Sequence, residues 1–266
     1  MNIYLSMNNQ RGTLRFILVL LVVLLTANRL QAQVNWLTDN RYVSVSGYAQ
    51  ITQQTSSSNY SATATPPAPF GSFSGNISGI ADARGTNVTQ GISLDAGADS
   101  SAMQNSSLTG NQFTINSRTL AGTGGLGEDG HELCYAEADS CFEVSFGVDG
   151  PQTWSLALDF NEHYGNLSAE WNLISSQVGS VLGAPTQNPN PGGPPIYYQG
   201  TLAPGDTYTL TILLSALQNQ PDPVGDSSGA GINATFSVVP EPSSCALVGM
   251  GLFSLFALKR KQSVKA

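Results

Sequence analysis

The chain has 266 residues, with ten Lys and Arg against eighteen Asp and Glu, for a formal charge of −8. Residues 34–240 are more lopsided still: three arginines, no lysine and seventeen acids, a formal charge of −14. A surface of that sign repels phosphate backbones and anionic headgroups, which excludes a nucleic-acid binder and suits a soluble domain outside the cell.

At the N-terminus, Arg11 and Arg15 introduce an unbroken ten-residue apolar run over 16–25. That is too short for a bilayer core, which needs about 20 residues. It matches the h-region of a secretory signal peptide. A polar stretch follows and ends in Leu30-Gln31-Ala32, so Ala32 is the expected cleavage position and residues 1–32 the leader.

Residues 33–238 read as one exported domain. Helical periodicity is scarce, and period-two alternation recurs between Gly/Pro turns. Val43, Val45, Ala49 and Ile51 line one face of an early strand. Residues 53–69 are Ser/Thr/Pro-rich and read as a loop. Val88, Ile92 and Leu94 suggest a second strand, Phe113 and Ile115 a third. Phe142, Val144, Phe146 and Val148 alternate with polar residues, then Asp149-Gly150-Pro151 turns the chain. Trp154, Leu156, Leu158 and Phe160 return, which predicts a hairpin. Further strands follow at Leu167–Leu173, 196–202, Tyr208–Leu214 and Ile232–Val238. Residues 183–195, with five prolines, and the polar stretch 216–231 read as loops. The pattern predicts an all-β, antiparallel, jelly-roll-like β-sandwich.

Cys134 and Cys141 are seven apart, and an exported chain favours their oxidation. A disulfide closing that loop would stabilise by about 2.5 kcal/mol on chain-entropy grounds. The acidic stretch 127–139 around them has the oxygen ligands calcium wants but no EF-hand spacing, so it reads as a solvated loop and no metal site is assigned. His131-Glu132 lacks the second histidine of a zinc hydrolase. Asp159 and Glu170 are the candidate carboxylate pair for glycoside cleavage if their strands are neighbours. There is no nucleophile elbow and no P-loop, and two histidines leave little for acid–base work, so no catalytic residue and no cofactor are assigned. Tyr42, Tyr48, Tyr197 and Tyr198 are candidate faces for stacking on sugar rings, or else pack the sheet.

The C-terminus carries the most specific signal. Val239-Pro240-Glu241-Pro242-Ser243-Ser244 precedes an apolar segment, 243–258, and the basic cluster Lys259-Arg260-Lys261, with a tail over 263–266. As a helix these sixteen residues reach about 24 Å, and snorkelling cations extend them toward the interface. The positive-inside rule places the tail in the cytoplasm and the domain outside. Two prolines flanking Glu241 hold that segment extended and outside any helix or sheet.

Residues 239–262 closely resemble the PEP-CTERM sorting domain of Gram-negative bacteria. The resemblance implies recognition of Pro240, Glu241 and Pro242 by an exosortase, with transient anchoring in the inner membrane through 243–258 and Lys259, Arg260 and Lys261 as the stop. It implies a host that makes exopolysaccharide and biofilm. The expectation is therefore a non-enzymatic protein of the cell surface or extracellular matrix, with polysaccharide as partner. The alternatives are a secreted carbohydrate-binding module, calcium-dependent or not, and a secreted polysaccharide hydrolase.

Overall fold

A computed structural model describes residues 33–52, 56–87, 91–126, 132–183, 193–221 and 225–240. The predicted leader with Ala32, the apolar segment 243–258 and the basic stop lie outside them. No helix among the described residues is long and apolar enough to cross a membrane.

Among the described residues twelve strands form the domain: β1 Val34–Ile51, β2 Ser56–Ala64, β3 Phe73–Asn87, β4 Ile92–Thr109, β5 Gln112–Leu126 and β6 Glu132–Val148 come first. β7 Gln152–Tyr164, β8 Leu167–Ser175, β9 Gly179–Gly183, β10 Ile196–Leu202, β11 Thr207–Pro221 and β12 Asp226–Pro240 complete it. They make two six-stranded antiparallel sheets, ordered β2-β1-β6-β11-β8-β9 and β10-β7-β12-β5-β4-β3. The last eight strands pair as nested couples: β5 with β12, β6 with β11, β7 with β10 and β8 with β9. Alternate couples lie in opposite sheets, which is the jelly-roll winding. β1 and β2 extend one sheet beyond β6, and β3 and β4 extend the other beyond β5.

Inward positions of the two sheets meet in the core. In the jelly-roll half they are large: Phe113 stacks on Phe236 at 5.0 Å, and Phe142 lies 4.7 Å from Phe113 across the sandwich. Each such side chain, removed from water, contributes about 1.5–3 kcal/mol. Toward the extension many inward residues are small, among them Ala49, Ala81, Ala83, Ala96 and Ala98, with Ala121 and Ala136 of β5 and β6 facing them beside the larger Ile51 and Leu94. Tyr60 from the edge strand β2 fills the end there. Its ring lies over Gly79, where an added Cβ would stand 2.0 Å from it, and its hydroxyl meets Ser100 Oγ at 2.6 Å. Glycine is required at 79 because any side chain would displace that ring.

A one-residue irregularity in β1 between Trp36 and Thr38 changes which parity points inward. Val34 and Trp36 face the core before it; Arg41, Val43 and Val45 face it after. Arg41 is therefore 1% exposed inside the sandwich. Its guanidinium holds both Asp39 carboxylate oxygens at 2.6 Å, the Ser106 hydroxyl at 3.0 Å and the Gly71 carbonyl at 2.8 Å. Asp39 also accepts the Phe70 N–H at 2.6 Å, where Phe70 has φ +60°. At the other end, buried Asp206 accepts the hydroxyls of Ser175 and Ser176 and the N–H of Thr207, tying β8 to β11. Burial opposes its ionisation, but those donors outweigh it and hold the carboxyl below the usual range.

Four expectations about strand pairing and the cysteines need correction. The β6–β7 hairpin does not form, because β6 bonds to β1 and β11 in one sheet while β7 lies between β10 and β12 in the other. Asp149-Gly150-Pro151 instead arches across the core, pinned by Asn35 Nδ2 donating to Asp149 at 2.7 Å. Within 53–69, Ser56–Ala64 is strand β2, since its backbone pairs with Val43 through Ile51. As an edge strand exposed to water it lacks apolar alternation. Most of 216–231 is also strand, with Ala216 through Pro221 paired to β6 and β12 starting at Asp226.

The fourth correction is the disulfide. Cys134 and Cys141 are free, buried thiols on the same strand, β6. Seven residues of extended chain separate them by about 23 Å, and odd spacing turns them to opposite faces, whereas a bridge needs Cα atoms within about 7 Å. Burial pushes each thiol up to about 11. The folded protein is therefore expected to resist thiol-reactive dye at pH 8, to react at two positions of β6 once denatured, and to melt at the same temperature with or without reductant.

Candidate functional site

β12 carries the fold into the sorting segment. Ile232, Ala234, Phe236 and Val238 alternate inward and are all buried. The strand pairs with β5 from Asp226↔Thr123 to Ser237↔Gln112, and β7 is its other neighbour. Pairing continues to the last residues: the Val238 N–H donates to the Asn111 carbonyl at 2.8 Å. Thr153 Oγ1 donates to the Val239 carbonyl at 3.3 Å. Val238 is 3% exposed and Val239 is 55% exposed. β12 ends at Pro240, which has no N–H to give a ladder. One residue thus separates the core from the first proline of the predicted processing motif. Glu241, Pro242, Lys259, Arg260 and Lys261 lie outside the described residues.

A second feature lies on the outer face of the β1–β6–β11 sheet. Tyr48 and Tyr135 are cross-strand partners whose rings stack at 5.8 Å, 11° from parallel. Tyr135 Oη donates to Glu137 Oε2 at 2.5 Å, and Ser46 Oγ donates to the same oxygen at 3.3 Å. Burial, then the Glu137 bond and charge, push the Tyr135 hydroxyl up to about 12. Burial also raises the neighbouring Asp139 carboxyl, with the Glu137 charge adding to it. Two aromatic rings and oriented polar groups on one flat face can pack against a polyhydroxylated ring and bond its hydroxyls.

The remaining candidates are dispersed. Tyr42 is on β1 opposite Cys141. Tyr197, 73% exposed, is on the edge strand β10 of the other sheet, while Tyr198 turns inward and accepts the Trp171 indole N–H at 3.2 Å. Asp159 on β7 and Glu170 on β8 belong to different sheets and both face solvent, so the structure does not bring them together. Of the acidic stretch, residues 127–131 lie outside the described residues and 132–139 are part of β6, not a loop. No group of three or more His, Cys, Asp or Glu that could hold a metal converges among the described residues. Tyr135, Asn111 and Thr153 were not legible as site residues. The available signal for Tyr135 was the alternation of small residues Cys134, Ala136 and Ala138, which continues β6 backward.

Fold and terminus together define an exported-type β-sandwich with a sorting signal grown directly from its last strand. That signal is the PEP-CTERM protein-sorting motif, matched over residues 238–261. It marks the chain for export and for recognition by an exosortase. No curated protein matches the chain. Among solved structures, one of infectious bursal disease virus, Gx strain, aligns over 80% of this chain and 71% of its own at 9% identity, TM-score 0.23. A GH31 α-xylosidase from Xanthomonas citri aligns over 82% and 29% at 11% identity, TM-score 0.19. At these scores neither defines a shared fold.

Proposed function

We propose that this is a non-enzymatic protein of the cell surface or extracellular matrix, processed by an exosortase in an exopolysaccharide-producing Gram-negative bacterium. The observation that carries the reading is the PEP-CTERM motif joined without a linker to a closed sandwich. The apolar segment anchors the precursor in the inner membrane until processing, and the domain then acts outside the cell. The divergence of Asp159 and Glu170 onto different sheets supports a role without hydrolysis. The second reading is carbohydrate binding, favoured by the Tyr48–Tyr135 stack and its bonded Glu137.

One experiment addresses both. The purified domain is mixed with the host exopolysaccharide and with a glycan panel, with and without chelator, and sugar release is followed. Binding without release is expected. Tyr48→Ala is expected to weaken it by about 1 kcal/mol, roughly fivefold. Steady release of reducing ends would overturn the non-enzymatic reading, and binding indifferent to Tyr48 would overturn the platform.

A further inference from the structure

A protease binds its substrate as an extended strand whose main-chain groups pair with the enzyme. On β12 those groups are already taken. Ser237 pairs with Gln112, the Val238 N–H is held by Asn111, and the Val239 carbonyl is held by Thr153. Both sides of the strand are flanked, by β5 and by β7, so neither edge is open. Phe236 and Val238, the side chains an enzyme would read next, are buried at 0% and 3%. Pro240 is the first position whose main chain has no N–H for the sheet, and Pro242 repeats that two residues on. Pro240 is thus the last residue of the paired strand.

We propose that closure of the sandwich sets the upstream limit of the processing footprint: the enzyme engages this chain only from Pro240 onward, and the mature domain keeps β12 whole. The proposal rests on residues 238–261 being the sorting signal. Release then breaks one peptide bond at or beyond Pro240. The carbonyl carbon takes the hydroxyl of water, or the amine of an acceptor in its place, and the leaving nitrogen takes a proton. It follows that the motif is separable from the residues before it, although Val238 and Val239 are contiguous with it in sequence.

The test is intact-mass analysis of the protein recovered from the producing cells and their medium, for the natural chain and for a variant with a short flexible Gly/Ser spacer between Val239 and Pro240. The natural chain is expected to end at Pro240 or beyond, ahead of the apolar segment. The spacer variant is expected to be processed at the same motif position, heavier by the mass of the spacer, with an unchanged melting temperature. A natural C-terminus upstream of Pro240, or a spacer variant that folds but stays unprocessed, overturns the proposal. A natural chain that keeps its whole tail overturns the sorting reading itself, and this proposal with it.

Discussion

Arg41→Ala is expected to lower the stability of the sandwich by about 3–5 kcal/mol. At about 2–4 °C per kcal/mol for a domain of this size, the melting temperature drops by roughly 10 °C. The physical reason is what the arginine leaves behind. Asp39, with a side chain 1% exposed, loses both bonds from the guanidinium and remains a charged group out of water. Ser106 on β4 and the Gly71 carbonyl lose their donor, so a tie between the sheets goes as well. The cost belongs to the unpaired carboxylate more than to the pair. Arg41→Met combined with Asp39→Leu is therefore expected to recover most of the loss, since replacing a buried ion pair by apolar groups is often neutral. Thermal and urea unfolding of the two single variants and the double variant measures this. A single-variant loss below about 1 kcal/mol, the range of exposed pairs, would show that water reaches this site.

Phe236→Ala is expected to cost about 3–5 kcal/mol, the range for deleting a buried aromatic ring. Phe236 is 0% exposed and sits at the centre of a ring cluster, 5.0 Å from Phe113, 5.6 Å from Phe146 and 6.0 Å from Trp154. Those neighbours come from β5, β6 and β7, so the cavity opens where the two sheets meet. The consequence is also functional. β12 is an inner strand of its sheet and ends at the sorting motif, so loosening it uncovers main chain just upstream of Pro240. The variant is expected to melt at least about 10 °C lower and to reach the medium in smaller amount, cut at scattered positions. Thr235→Ala, on the exposed face of the same strand, is expected to do neither. Equal yield and one C-terminus for Phe236→Ala would show that β12 does not guard that boundary.

What was legible in the sequence was whatever a short window contains. Period-two alternation located the jelly-roll strands other than the short β9, Gly179–Gly183, because a half-buried strand must alternate. The Pro-Glu-Pro motif, the apolar segment and the basic cluster identified the sorting signal, because that recognition is read along the chain. Partnership between distant segments was not legible. Asp149-Gly150-Pro151 looks the same whether it turns within a sheet or arches across the core, and only the competing pairings with β1, β11, β10 and β12 decide. The Ser-rich β2 has no pattern of its own and is a strand because β1 offers it an edge. Cys134 and Cys141 fitted a loop by spacing, yet they lie on one straight strand that keeps them apart.

By itself, the sequence determined the class of the domain, the sign of its surface and the signal at its end, all of which follow from local composition and periodicity. Tertiary structure alone decided that Arg41 points inward, that Tyr48 meets Tyr135, that Asp159 and Glu170 part, and that pairing runs to the residue before Pro240. The reason is that hydrogen bonds between strands, and a single-residue shift in β1, are set by which segments meet in space.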